Sequence, residues 1–161
     1  GAMGVIAPMV NSVEDSEALA HAARYPPLGG RSNGNFGTGF LGDDYEERAN
    51  DEIFMAVQIE SAPAVEHAEG ILAVEGIDGC WIGPGDLSAS MRTTPGTDEH
   101  TAAIRSVIAA CRKTGKIPGI SLGSIELAKF WISEGCQFVT CGDDSSWMTA
   151  GAQAAYEALS G

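Results

Sequence analysis

Short apolar runs alternate along this chain with longer segments in which apolar residues recur every three to four positions. The apolar runs lie at residues 5–10, 53–59, 80–82, 117–122 and 138–141. Runs of this length, bounded by turn residues, are typical of buried parallel strands. The helical pattern covers residues 16–24, 43–50, a segment after Ser61, and residues 101–114, 124–134 and 146–159. Five repeats of strand and helix predict an α/β fold whose parallel sheet has right-handed crossovers.

Two of the predicted strands end on a carboxylate. Ile59 is followed directly by Glu60, and the run ending at Ile82 continues through Gly-Pro-Gly to Asp86. The carboxyl ends of parallel strands face the active-site side of such folds. Two carboxylates one strand apart there suit Mg²⁺ or Mn²⁺ and leave coordination positions for water and substrate. The alternative is a pair of carboxylates that only cap helices at the strand ends.

Two further patterns lie near these positions. Residues two apart on a strand share a face, so Gln58 is expected to point the same way as Glu60. The glycine-rich stretch 29–39 superficially resembles a phosphate-binding loop, but its glycine order is wrong, no Gly-Lys-Ser/Thr follows, and no apolar strand precedes it. We interpret it as a mobile loop over the site rather than as a nucleotide site.

Composition and charge narrow the class of protein. The 161 residues include nine basic and twenty-two acidic side chains, a net charge of -13, which argues against nucleic acid and against an anionic membrane surface. No apolar run approaches the roughly 20 residues of a transmembrane helix, and no signal-peptide pattern is present. The four cysteines lack metal-ligand or redox spacing, so we expect reduced thiols in a cytoplasmic protein.

Six motifs together resemble the HpcH/HpaI aldolase family of metal-dependent 2-oxo-acid aldolases. They occur in the family's order and at nearly its spacing: Val5-Ile6-Ala7-Pro8-Met9-Val10, Arg24-Tyr25-Pro26-Pro27-Leu28-Gly29, Val57-Gln58-Ile59-Glu60, Ile82-Gly83-Pro84-Gly85-Asp86-Leu87-Ser88, Gly115-Lys116-Ile117-Pro118-Gly119 and Gly135-Cys136-Gln137-Phe138-Val139. Each motif alone is weak, whereas six in register form a specific signal.

The resemblance implies an eight-fold βα barrel of the TIM type and a homo-oligomer, in the family a hexamer that exchanges its last helix between subunits. Aligned by the motifs, residues 1–161 form one α/β domain that corresponds to strands four to eight, without the first three βα units. The family's catalytic histidine and its arginine belong to those units. None of His21, His67 and His100 lies in a matching motif, so no catalytic residue is assigned in this chain.

The resemblance also implies residue roles. Glu60 and Asp86 are the expected ligands of a divalent cation (Mg²⁺, Mn²⁺ or Co²⁺), and Gln58 is expected to contact a bound 2-oxo acid. The Gly83-Pro84-Gly85-Asp86 segment is expected to offer backbone N–H groups, chiefly those of Gly85 and Asp86, to the substrate carboxylate. Glycine at position 85 permits close approach of the backbone. A buried glutamine satisfied by backbone groups and a plain tight turn are the structural alternatives.

The implied reaction is class II aldol chemistry, in which 4-hydroxy-2-oxo acids are formed from or cleaved to pyruvate and an aldehyde through a metal-bound pyruvate enolate. The enzyme would be a carbon–carbon lyase. Two other interpretations remain open. One is a catalytically inert fragment of such an aldolase that acts only as an oligomerising or binding module. The other is an unrelated α/β domain that binds a metal or a phosphate.

Overall fold

The sheet contains five strands, all parallel, and each pairs with its neighbour in the sequence. The structure is a computed structural model that describes residues 1–34 and 36–160. The strands are Gly4–Ala7 (β1), Phe54–Ile59 (β2), Gly79–Ile82 (β3), Ile117–Ile120 (β4) and Phe138–Val139 (β5), in the order β1-β2-β3-β4-β5. The sheet curls into half of a barrel, which confirms the predicted α/β fold. The assignment to strands four to eight stays a prediction.

All helices but the last connect the strands and cover one face of the sheet. The helices are Val13–Ala23 (α1), Tyr45–Glu52 (α2), Ala62–Glu66 (α3), Ala68–Ala73 (α4), Pro84–Met91 (α5), Asp98–Thr114 (α6), Ile125–Glu134 (α7) and Asp144–Ser160 (α8). The first helix begins three residues earlier than predicted because a capping box encloses its first turn. Ser12 Oγ accepts the Asp15 N–H at 3.1 Å, and Asp15 Oδ2 accepts the Ser12 N–H at 3.1 Å.

Two segments differ from the sequence prediction. The helix after Ser61 is divided at His67 into α3 and α4. The Gly83–Asp86 segment, for which a tight turn was the alternative, is instead the start of α5, with Gly83 as N-cap and Pro84 as the first helical residue. Proline is favoured there because its fixed φ suits a helix and the missing N–H has no intrahelical partner.

The main core lies between the sheet and the helices. Val57 and Ile59 of β2 and Ile82 of β3 pack with α4 and α6 side chains, and all three are completely buried. The alternate residues of the same strands point to the other, concave face. That face carries Phe54, Trp81 and Phe138, whose rings meet at centroid distances of 5.7 Å (Phe54–Phe138) and 4.7 Å (Trp81–Phe138).

A buried arginine ties together the amino ends of β2 and β3. Arg24, only 2% exposed, donates to the carbonyls of Asn50, Ile53 and Gly76 and forms a 2.6 Å ion pair with Asp78. Asp78 Oδ2 also accepts the Met55 N–H at 2.7 Å. One guanidinium group therefore satisfies three backbone carbonyls and one carboxylate at this edge.

The glycine-rich stretch, residues 29–39, also starts at the amino ends of the strands. The Gly30 N–H donates to the His21 carbonyl at 2.7 Å, and the Arg31 N–H donates to the Arg24 carbonyl at 3.0 Å. Its beginning is therefore anchored at the amino ends of the strands, opposite Glu60, and gives no support to a lid over the site. Residues Phe36–Phe40 form a 3₁₀ helix, and Asn35 lies outside the described residues.

All four cysteines are free thiols. Cys80 and Cys111 face each other across the sheet–helix core with their Sγ atoms 3.3 Å apart. The hydrogen bond between Cys80 and Cys111, together with burial, raises the pKa of the Cys80 thiol, and burial raises the pKa of Cys136 to about 12. Cys80 and Cys136 are therefore poor nucleophiles, because the thiolate is the reactive form. Within residues 1–34 and 36–160 no helix is long and apolar enough to cross a bilayer.

Candidate functional site

Glu60 is a buried carboxylate at the carboxyl end of β2. Its exposed fraction is 3%. Its Oε1 accepts the Met9 N–H at 2.8 Å, and its Oε2 accepts an Nε2 hydrogen of Gln58 at 2.5 Å. Both partners are neutral, and Glu60 forms no salt bridge within the described part of the chain. Burial of a carboxylate without a cationic partner is costly, so this group is well suited to receive a metal ion.

Gln58 lies on the same face of β2 as Glu60, as the strand period predicts. Its amide is bonded to the Glu60 carboxylate, so the alternative of a glutamine satisfied only by backbone groups does not hold. The bond fixes the orientation of the carboxylate. It also places an amide group at the mouth of the concave face.

The backbone of Gly83 lies directly against Glu60. A Cβ atom at this position would stand 2.6 Å from Glu60 Oε2 and 3.0 Å from Glu60 Cβ, closer than such atoms pack. Only glycine therefore fits beside the carboxylate in its observed position. Gly85 differs, because a Cβ there would meet no atom within 4 Å. The close approach expected at Gly85 concerns a ligand, whereas the protein's own packing requires the glycine at position 83.

The first turn of α5 follows the Gly83 backbone that contacts Glu60, and it presents polar groups of Gly85 and Asp86. The Gly83 N–H donates to the Ile59 carbonyl at 3.3 Å, and the Leu87 N–H donates to the Gly83 carbonyl at 2.9 Å. The N–H groups of Gly85 and Asp86 precede the first intrahelical bond and are available to an anion, which the helix dipole also favours. Asp86 is exposed, and its carboxylate makes no hydrogen bond or ion pair within the described residues.

The loop after β1 supplies a contact that residue types did not reveal. Met9 has a left-handed backbone conformation (φ 56°), which is unusual for a bulky residue and directs its N–H toward Glu60. Asn11 Nδ2 donates to the Met9 carbonyl at 2.8 Å, and Ser61 Oγ donates to Asn11 Oδ1. In the sequence, residues 5–10 resemble a family motif, but no residue type there predicts a backbone contact with Glu60.

His100 is a second residue near the site that the sequence did not single out. It lies in the first turn of α6, is 3% exposed, and its Nε2 is 2.9 Å from the carbonyl oxygen of Pro84. A single histidine in an amphipathic helix is an ordinary core residue by pattern, so only the fold reveals that it contacts α5.

The donor set fits a hard divalent cation with open coordination positions. Glu60 and Asp86 supply carboxylate oxygens, the ligand type that Mg²⁺ and Mn²⁺ prefer. Within residues 1–34 and 36–160, no three His, Cys, Asp or Glu side chains are grouped so that they share a metal ion. Two protein ligands require that water or substrate complete the shell. The approach of the two carboxylates to a common ion stays a prediction.

Comparison with known proteins relates this chain to one family. The profile described as HpcH/HpaI aldolase/citrate lyase matches residues 1–150. A 4-hydroxy-2-oxo-heptane-1,7-dioate aldolase of Klebsiella pneumoniae is 38% identical over 160 residues, which cover 96% of this chain and 60% of that protein. The chain thus spans about three fifths of the length of this curated relative.

Solved structures agree with the sequence comparison. A HpcH/HpaI aldolase/citrate lyase family protein from Burkholderia cenocepacia superposes with a TM-score of 0.91 at 27% identity, covering 100% of this chain and 66% of that one. A citrate synthase superposes with a TM-score of 0.85 at 28% identity, covering 99% of this chain and 64% of that one. Both similarities extend over the whole half-barrel.

Proposed function

Because the chain belongs to the HpcH/HpaI aldolase/citrate lyase family, we propose that the protein is a carbon–carbon lyase that cleaves or forms 4-hydroxy-2-oxo acids. Its substrates on this proposal are pyruvate, or a related 2-oxo acid, and an aldehyde. Residues 1–161 supply the part of the site that binds the metal and the substrate carboxylate, in a barrel of which they form strands four to eight.

One observation carries the proposal. Glu60 is buried at a strand end, held by neutral donors from Gln58 and Met9, and packed against the start of a helix that presents the free carboxylate of Asp86. A carboxylate that only capped a helix would accept N–H groups from that helix. Glu60 accepts none from α3 or α5, so the capping interpretation does not explain its position.

On this proposal, each site residue has its own role in binding the metal ion or the 2-oxo acid. Glu60 and Asp86 hold a divalent cation, which supplies Lewis-acid stabilisation of the negative charge that develops on a 2-oxo oxygen. Gln58 orients Glu60 and contacts the 2-oxo acid. The N–H groups of Gly85 and Asp86 bind the substrate carboxylate, because they have no intrahelical partner and lie at the positive end of the α5 dipole.

We extend the proposal to acceptors other than aldehydes because a citrate synthase is among the similar structures. That protein shares the half-barrel at 28% identity. The metal and carboxylate contacts proposed here concern only the 2-oxo acid, and the acceptor is selected elsewhere. The name of the Klebsiella relative favours an aldehyde acceptor, because that relative is 38% identical to this chain.

Titration of the purified chain with Mn²⁺, followed by electron paramagnetic resonance with and without oxalate, tests the proposal. Oxalate resembles the enolate form of pyruvate. We expect one Mn²⁺ site whose affinity rises with oxalate, because the two carboxylates leave positions for a chelating ligand. Glu60→Gln should weaken Mn²⁺ binding by more than about 10-fold. Loss of a residue that only hydrogen-bonds to a metal ligand already costs about 10-fold or more, and Glu60 is proposed to be a ligand itself.

Glu66→Gln is the matched control, because it makes the same charge change at an exposed position of α3. Its Mn²⁺ affinity should equal that of the unmodified chain. Equal losses in the Glu60 and Glu66 variants would show that Mn²⁺ responds only to net negative charge. That result would remove the proposed site.

A further inference from the structure

The side chain of His100 connects the start of α6 to the start of α5. Its Nε2 lies 2.9 Å from the carbonyl oxygen of Pro84, the first residue of α5. Its Nδ1 accepts the Gly96 N–H at 3.2 Å. Thr97 Oγ1 accepts the His100 N–H at 3.3 Å, so the helix cap fixes the backbone from which the ring projects.

These contacts define the tautomer of the ring. Nδ1 accepts a hydrogen bond from a backbone N–H and is therefore unprotonated. The proton of the neutral imidazole lies on Nε2, which donates it to Pro84. The histidine thus acts as a bridge with one acceptor and one donor, and each nitrogen has a single defined partner.

The surroundings make this bridge hard to replace. The ring borders a cavity of about 280 Å³ that is lined mainly by apolar side chains, among them Ile104, Leu122 and Trp131. An apolar residue in place of His100 removes the acceptor of the Gly96 N–H and one hydrogen bond from the Pro84 carbonyl. The first turn of α5 then loses its link to α6.

We propose that His100 is a positioning residue that holds the first turn of α5 in register with Glu60. Pro84 is followed directly by Gly85 and Asp86, so a shift of its carbonyl moves the N–H groups and the carboxylate assigned to substrate and metal. On this proposal, His100 contacts neither the metal ion nor the substrate. This inference rests on the proposed function of the Glu60–Asp86 site.

Three substitutions of His100 distinguish a role in positioning α5 from a role in packing alone. In His100→Gln the side-chain amide nitrogen takes the place of Nε2 and donates to Pro84. In His100→Asn the shorter amide replaces Nδ1 only and does not reach Pro84. His100→Leu removes both hydrogen bonds. Ser16→Ala is the control, because it removes a buried 2.8 Å hydrogen bond to the Ile71 carbonyl in another part of the fold.

Mn²⁺ affinity and thermal stability are measured together for the four variants. We expect His100→Leu and His100→Asn to weaken Mn²⁺ binding by about 10-fold, and His100→Gln to restore it. Ser16→Ala should lose stability but keep its affinity. Unchanged Mn²⁺ affinity in folded His100→Asn, or an equal loss in His100→Gln and His100→Asn, would overturn the inference.

Amide hydrogen exchange at Leu87 supplies a readout that needs no metal. The Leu87 N–H forms the first hydrogen bond of α5, so it should exchange faster in His100→Leu and His100→Asn than in His100→Gln. If the unmodified chain binds no Mn²⁺, the proposed function fails, and this exchange pattern alone decides whether His100 holds α5. Equal exchange in all three variants would show that it does not.

Discussion

Glu60 and Gly83 pack so closely that each limits what the other can be. The carboxylate occupies the space that a side chain at position 83 would need, with Oε2 only 2.6 Å from where a Cβ would stand. The backbone that follows β3 thereby contacts the Glu60 carboxylate without an intervening side chain. Glu60, the proposed metal ligand, is held by packing as well as by its two hydrogen bonds.

Two alanine substitutions test this arrangement. Gly83→Ala should push the Glu60 side chain aside, cost about 1–3 kcal/mol of folding stability as overpacking does, and abolish the oxalate-enhanced Mn²⁺ site. Gly85→Ala should retain metal binding, because a Cβ there meets no atom within 4 Å and the N–H donor remains. Thermal melts and Mn²⁺ titrations of both variants are the measurements. Comparable Mn²⁺ affinities in the two would contradict the packing argument.

At the residue scale, side-chain contacts could be predicted from the sequence, but contacts that involve backbone groups could not. Strand alternation placed Gln58 beside Glu60, because residues two apart share a face. The hydrogen bond from the Met9 N–H to Glu60 depends on a strained φ angle, which no residue type in the sequence predicts. His100 acts through a carbonyl on another helix, so its role follows from tertiary structure alone.

At the scale of elements, Arg24 fixes the spacing between α1, α2 and the amino ends of β2 and β3. The guanidinium group is 2% exposed and donates to three carbonyls and to Asp78. The carbonyls belong to residues that precede β2 and β3, the two strands whose opposite ends carry Glu60 and Asp86. The relative position of Glu60 and Asp86 therefore depends on contacts at the amino ends of these strands, opposite the site.

Arg24→Met should destabilise the fold by about 1–3 kcal/mol, because it leaves buried carbonyls without their donor, whereas the Asp78 side chain is 39% exposed and is rehydrated. Arg48→Met is the control. Arg48 forms exposed pairs with Asp44 and Glu52 four residues away, and loss of such pairs costs about 0.3–0.5 kcal/mol each. Chemical unfolding of both variants gives the comparison. Similar losses would show that the buried network contributes no more than a surface pair.

The elements themselves were largely predictable because their local signals agree with the fold. The strands follow the apolar runs, and the N-caps of α1, α3 and α7 are Ser12, Ser61 and Ser124, a residue type that this position favours. The start of α5 was less predictable. Gly-Pro-Gly is typical of a turn, and only the packing of Leu87 into the core favours a helix from Pro84 onward.

At the scale of the molecule, two apolar surfaces and two sheet edges have no partner among residues 1–34 and 36–160. Helix α8 has no buried residue, and its Trp147, Met148 and Leu159 are 61%, 74% and 89% exposed. The concave face of the sheet carries the aromatic residues Phe54 and Phe138, and β1 and β5 are open edges. Exposed edges and apolar patches of this kind are covered in stable proteins by further chain or by another subunit.

We therefore expect residues 1–161 to form a homo-oligomer at micromolar concentration, as light scattering measures. Trp147→Ser and Met148→Ser together should shift the population toward smaller species, since they remove exposed apolar area from α8. Gln153→Ser on the same helix is the control and should leave the mass unchanged. A monodisperse monomer of the unmodified chain would contradict this expectation.

A crystal structure grown with Mn²⁺ and oxalate, analysed by anomalous scattering, is the most direct measurement of the proposed site. It should show one Mn²⁺ ion coordinated by carboxylate oxygens of Glu60 and Asp86, with oxalate completing the shell and one oxalate oxygen within hydrogen-bond distance of the Gly85 or Asp86 N–H. An ion bound elsewhere, or Glu60 and Asp86 too far apart to share one ion, would contradict the assignment of these two residues as metal ligands.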